Sequence, residues 1–293
     1  MTEKQKGEAI ISLEILLWSL FPVLTVLTYA HVPALIALAW CSLFAGLFFG
    51  VIVVVRRRWA DFYNPTFWKY ISGVIAVTGV LYYVLYFLGL EHTSPGNAAI
   101  IALSEVLAAY LFFNVYYGED FSRGHVVGSL LMVVGAFIVV GKGWQGVNMG
   151  DIFVLAASFV APLGNLFQRE LRKIAASESI LFVRSVAASA AIFLLAALLG
   201  KGASSAQVIQ ALPFLLVNGI LLLGLSKFLW VEAIHRLPVT KCNALNSAAP
   251  FLTLLFAWSL LGQAPDVWQL GALIPLFIGV LLLTDQVRLP QAR

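Results

Sequence analysis

The chain has 293 residues, 61% of them hydrophobic and 11% charged, with a formal net charge of +4. Soluble domains carry about 25% charged residues, so this composition excludes a soluble enzyme or a nucleic-acid-binding module. It leaves an all-α integral membrane protein, because lipid offers backbone groups no hydrogen-bond partners outside regular helices.

At about 20 residues per span, ten apolar segments follow in chain order: 9–30, 33–55, 68–90, 95–117, 124–141, 150–170, 178–199, 208–234, 238–262 and 267–284. The first contains Glu14, exceeds the usual apolar region of a signal peptide and has no small-residue cleavage site after it, so it is expected to remain as helix 1. Glu14 shares a face with Trp18, Phe21, Pro22 and Thr25. A span starting at residue 9 puts Glu14 about one turn from its end. There it snorkels or forms a salt bridge, or else serves as a proton-coupling group.

In helix 2, Gly46 and Gly50 form a small-residue packing motif too common to imply a dimer, and a monomer is expected. The run Arg56-Arg57-Arg58 that follows is a topology anchor, not a nucleic-acid patch. Helix 3 carries Thr78, Tyr82 and Tyr86 on one stripe, with Tyr83 adjacent. Such stripes serve packing or an interfacial belt, but phenols this deep need partners, which a ligand cavity would supply.

Helix 4 holds Glu105 near its middle, with Ala98, Ala102, Ala109 and Phe112 at helical spacing and Leu103, Leu107 and Leu111 opposite. Small neighbours turn Glu105 into the bundle. It is either a proton or substrate-cation site or a hydrogen-bonded group that locks helices together. Helix 6 has Pro162 and Asn165, and helix 7 has Arg184, which reads as structural. Helix 8 buries Lys227, beside Gly224 and one turn before Trp230. It pairs with Glu14 or Glu105, or holds a substrate carboxylate. In helix 9, Asn243, Asn246, Ser247 and Pro250 share one face. Pro22, Pro162 and Pro250 are hinge candidates, since proline frees a carbonyl inside a span.

Neither a metal nor a cofactor is implied. Cys41 and Cys242 fall inside spans, and His31, His92, His125 and His235 are scattered near helix ends. GAFIVVGKG (135–143) has the wrong glycine spacing for a P-loop, and HExxH, GxSxG and CxxC are absent.

With a cytoplasmic N-terminus, the inside connections hold Lys4, Lys6, Arg56, Arg57, Arg58, Lys69, Arg123, Arg169, Arg172, Lys173, Arg236, Lys241, Arg288 and Arg293. The outside ones hold only Lys142 and Lys201. This bias places both termini in the cytoplasm. The halves also align. Gly118 falls on Gly262 and Gly135 on Gly279, both offset by 144, while Gly128 falls on Gly271 and Pro22 on Pro162. Five helices are an odd number, so residues 1–145 and 146–293 form a 5+5 inverted repeat. Such repeats place a site near the midplane, between two rocking halves.

The five-plus-five plan, the WSLFP start (18–22), LGLEHTSPGNAA (88–99), Gly118-Glu119 and the glycine-spaced closing helices resemble the drug/metabolite transporter superfamily with EamA-type repeats. The resemblance covers essentially the whole chain and implies an inner-membrane exporter of amino acids or other metabolites. APLGNLFQRE (161–170) and the aromatic richness are similar to the YddG-type aromatic amino acid exporters. Several positions depart from or keep the family pattern unevenly. Val106 replaces a helix 4 proline that Pro250 keeps in helix 9, Gln263 stands where the second half would carry Glu, and Trp40 replaces an arginine kept as Arg184.

The sequence therefore predicts a bacterial inner-membrane secondary transporter that exports a small amphipathic metabolite by alternating access, an amino acid foremost. The alternatives are an intramembrane lipid-modifying enzyme and a non-transporting interaction protein. Trp18, Tyr82, Tyr86, Glu105, Asn165, Lys227 and Asn246 are the expected substrate residues, and Glu105 and Glu14 the expected coupling residues. The partners are a small-molecule substrate and membrane lipid.

Overall fold

Thr2 caps the first helix: its hydroxyl accepts from the Gln5 amide and the Gln5 side chain accepts from the Thr2 amide. Helix α1 (Glu3–Tyr29) therefore begins six residues before the apolar run. The computed structural model describes residues 2–117, 122–140, 148–237 and 239–287, without the side chains of 113–117, 239, 240 and 243. Gly118, Glu119, Lys142, Arg288, Arg293 and the Asn243 side chain lie outside the described residues.

The chain continues through α2 (Ala34–Val55), α3 (Pro65–His92), α4a (Pro95–Ala102) and α4b (Ser104–Tyr117), α5 (Arg123–Val140) and α6 (Met149–Leu171). It ends with α7 (Ser177–Leu198), α8 (Ser205–Ile234), α9a (Val239–Asn246) and α9b (Ala249–Leu261), and α10 (Val267–Leu283). Among the described residues nine helical segments are long and apolar enough to cross a membrane, and α10 is a shorter apolar tenth. Large apolar side chains such as Leu130, Phe137, Leu198 and Ile274 point outward, as lipid-facing residues do.

Helix α2 packs along α7, and α5 along α10. A Cβ on Gly46 would meet Val186, and one on Gly50 would meet Phe182, so these glycines serve contact within the chain. A Cβ on Gly135 would collide with Leu276, and one on Gly279 would lie 2.5 Å from Met132. Leu276 is to Met132 as Gly279 is to Gly135, so the two contacts are one contact repeated with the helices exchanged. That exchange, between antiparallel partners, is the signature of the inverted repeat. Gly271, by contrast, faces open space although its sequence partner Gly128 packs on the Gly279 carbonyl.

The halves interlock. Helix α1 packs against α8 and α9b of the second half, and α6 packs against α3 and α4 of the first. The molecule thus contains two three-helix bundles, α1–α8–α9 and α3–α4–α6. Close approach within the second is set by glycine: Gly164 lies against Thr78, and Gly89 against Val154.

Four irregularities repeat between the halves. Residues Ile75–Tyr82 of α3 and Val217–Leu225 of α8 are wound as wide π turns. Helix 4 breaks at Leu103, where the amides of Leu103 and Val106 bond to carbonyls three residues back. Helix 9 breaks at Ala248, with the same pattern at Ala248 and Phe251. The sequence reading needs correction in two respects here. Asn246 and Pro250 do not share one continuous helix face, because the break lies between them. Pro250 sits in the first turn of α9b, where its missing amide costs nothing. Helix 4 breaks despite Val106 standing where proline was expected, and nothing in the sequence around Leu103 explains it.

Candidate site at the junction of the two bundles

The break at Leu103 puts Glu105 in the first turn of α4b. The positive end of that half-helix favours a carboxylate there. This answers part of the cost of a carboxylate at membrane depth. Both faces of helix 4 are covered: Ala98, Leu103 and Leu107 are buried, while Glu105 is half-buried. The Asn165 side chain of α6 hydrogen-bonds to Glu105, and the phenols of Tyr82, Tyr83 and Tyr86 lie within its electrostatic reach.

Across the junction stands Lys227 of α8. Its ammonium sits 3.3 Å from the centroid of the Trp18 ring, a close cation–π contact. Glu14 and Glu105 are the carboxylates that act on it. Two carboxylates, one from each bundle, therefore lie within electrostatic reach of one ammonium, without a direct ion pair to it among the described residues. Glu14 is buried at 1% exposure, accepts a hydrogen bond from Ser226 at 3.2 Å, and leaves its second oxygen without a hydrogen-bond partner among the described residues. Glu14 does not snorkel, because its side chain is buried against Ser226 of α8 instead of reaching the helix end.

The aromatic wall is continuous. Trp18 stacks on Phe21 at 4.8 Å, Phe21 on Tyr86 at 5.8 Å, and Tyr86 on Tyr82 at 6.1 Å. Tyr83 meets Tyr82 edge-on at 5.0 Å and lies beneath the Arg184 guanidinium, which also hydrogen-bonds to it. Arg184 is buried, and its charge reaches both Tyr82 and Lys227. It therefore borders the cluster directly. Trp40, its counterpart in the first half, joins an aromatic group with Phe44 and Phe193.

The structure thus brings together Trp18, Tyr82, Tyr86, Glu105, Asn165, Lys227 and Glu14. Asn246 ends α9a at the second break, with Oδ1 buried and without a hydrogen-bond partner among the described residues; the ring contacts and hydrogen bonds of the cluster do not extend to it. Pro22 and Pro162 lie inside the unbroken α1 and α6. Sequence reasoning missed Ser226, whose position next to Lys227 was the available signal, and the pairing of Arg184 with Tyr83.

One side of the cluster is open and the other packed. Asn165 is exposed, six residues before the end of α6, or ~9 Å from it. That end of the molecule carries Arg56, Arg58, Arg172, Arg236 and Lys241, tied by ion pairs such as Lys241–Glu8 at 2.6 Å and Arg236–Glu3 at 3.4 Å. Toward the opposite end, Asn218 lies buried between Thr25 and Thr28, and the Tyr29 hydroxyl donates to the Phe87 carbonyl at 2.8 Å. At the far rim Gln269 donates to Asn97 at 2.7 Å, and Thr93 bonds to Asp151, so the SPGN run (94–97) joins the halves.

Ten apolar helices in inverted halves, with a charged and aromatic cluster where two bundles meet, define a multi-pass membrane transporter. Residues 5–141 and 148–285 both match the EamA-like transporter family, and the chain belongs to that family. It is 27% identical over 251 residues to the aromatic amino acid exporter YddG of Ancylobacter novellus, covering 82% of this chain and 84% of that protein. It is 19% identical over 232 residues to the uncharacterized transporter YyaM of Bacillus subtilis (strain 168), covering 75% and 74%. A crystal structure with 20% sequence identity superposes with a TM-score of 0.69 over 95% of this chain and 96% of that one, which shows the shared fold.

Proposed function

We propose that this transporter exports a small zwitterion, foremost an aromatic amino acid, across a bacterial inner membrane with both termini in the cytoplasm. The observation that carries the reading is the Lys227 ammonium seated over the Trp18 ring of the aromatic wall, within electrostatic reach of carboxylates from both bundles. Lys227 holds the substrate carboxylate and Glu105 its ammonium, while Trp18, Tyr82 and Tyr86 take the side chain. Sites of this kind are mostly apolar with a few placed polar groups. The name of the Ancylobacter novellus relative supports the same substrate class.

Glu105 binds either the substrate ammonium or a proton, and this competition couples export to proton entry; Glu14 is the second coupling carboxylate. Rocking of α1–α8–α9 against α3–α4–α6 moves the junction between the two faces, with Pro22 and Pro162 as hinges and Asn246 entering the lining in the other state. The basic end, open at Asn165, is the cytoplasmic one.

Counterflow tests this. Purified protein in liposomes loaded with unlabelled phenylalanine should accumulate labelled phenylalanine, tyrosine and tryptophan, and accumulate alanine about tenfold less, since ring burial is worth ~1–2 kcal/mol. No counterflow of any amino acid in a panel would remove the reading.

A further inference from the structure

A polar cavity of about 270 Å³ opens at the basic end, lined by none of the residues of the transport cluster. Arg56 and Arg58 of the first half and Arg172, Glu178, Phe228 and His235 of the second line it. Both Arg56 and Arg58 reach the same oxygen of buried Glu178, at 3.3 and 3.4 Å, so one negative charge is shared by two guanidiniums. Arg172 is exposed and has no ion pair among the described residues. The other carboxylate, Glu232, is held by Arg236 at 2.6 Å. The cavity thus has a surplus of positive charge that no carboxylate among the described residues matches.

Its position decides what matches it. Trp59 and Tyr63, in the short turn that Arg58 opens, and Trp68, in the first turns of α3, are all exposed at this end of the molecule. Exposed Trp and Tyr at helix ends mark the level of lipid headgroups. Phe228, beneath the Arg56 guanidinium at 5.2 Å, adds an apolar wall. On α8, Phe228, Val231, Glu232 and His235 face this cavity, whereas Ser226 and Lys227 turn to Glu14 and Trp18. It is therefore not the mouth of the route described above.

We propose that this cavity binds the phosphate of an anionic phospholipid headgroup, with Arg172, Arg56 and Arg58 as its ligands. Basic pockets between helices on the cytoplasmic face take such headgroups. The ligands come from the end of α2 in the first half and the end of α6 in the second, so a bound headgroup ties the two halves of the chain together at this end.

Short-chain phosphatidylglycerol, titrated into the detergent-solubilised full chain, should raise its thermal unfolding midpoint saturably. Phosphatidylcholine of the same chain length should not. Arg172→Gln breaks no ion pair, and it should raise the half-saturating concentration about fivefold, whereas Lys201→Gln, at the other end of the molecule, should leave it unchanged. Equal titrations for wild type and Arg172→Gln would overturn the site. An equal rise with inorganic phosphate alone would overturn the lipid assignment. Neither result depends on amino acid transport, so the substrate reading stands or falls separately.

Discussion

Lys227→Met should nearly abolish amino acid uptake while sparing an uncharged analogue. Removing one member of a buried charge pair costs about 2–5 kcal/mol, which corresponds to a loss of thirtyfold or more in apparent affinity for phenylalanine. Methionine keeps the length of the stem over Trp18, so the wall is preserved. Phenethyl alcohol, which has the ring but neither charge, should compete for uptake in the variant within about threefold of its strength in wild type. Equal losses for both ligands would make Lys227 a structural counter-ion to Glu14 and Glu105, and the anchor role would be withdrawn.

Glu105→Gln should separate charge from shape. Glutamine still bonds to Asn165 but carries no charge and takes up no proton. Phenylalanine affinity should fall about thirtyfold or more through the lost ammonium contact. The residual counterflow should lose most of its dependence on pH between 5.5 and 8, keeping only the share that Glu14 carries, whereas wild-type counterflow should vary more strongly across that range. A variant that transports like wild type with the same pH profile would reduce Glu105 to a helix-locking residue. Asn165→Ala is the informative companion for stability, since it removes the hydrogen bond but leaves the carboxylate.

Much of this site was legible in the sequence because ionisable groups are rare in spans, and each one had to face inward. Glu105, Lys227 and the Tyr82–Tyr86 stripe were readable for that reason, and the paired glycines of α5 and α10 disclosed the repeat. The surroundings of Glu14 were not legible, because its partner Ser226 sits on a helix distant in sequence. The break at Leu103 has no proline or glycine to announce it, and the π turns depend on packing between helices: a Cβ on Gly219 would lie 2.5 Å from Phe44, and one on Gly79 would lie 3.1 Å from Ala188. Arg184 was read as structural because its partner, Tyr83, sits on a helix distant in sequence. Tertiary contact, not local pattern, decides such pairs.

The central claim is that the junction of the two bundles is reached alternately from both faces of the membrane. Ala109, half-buried one turn beyond Glu105, offers a small position for a reporter. The native Cys41 and Cys242, both buried and free, are first replaced by alanine. The measurement is the labelling rate of Ala109→Cys by a membrane-impermeant thiol reagent, applied from each face in turn, with and without phenylalanine. Thr66→Cys, exposed in the first turn of α3 at the basic end, should label from one face only, the cytoplasmic one in the proposed topology. Ala109→Cys should label from both sides, with phenylalanine slowing both rates. Labelling from one side alone, or from neither, would contradict alternating access through this junction.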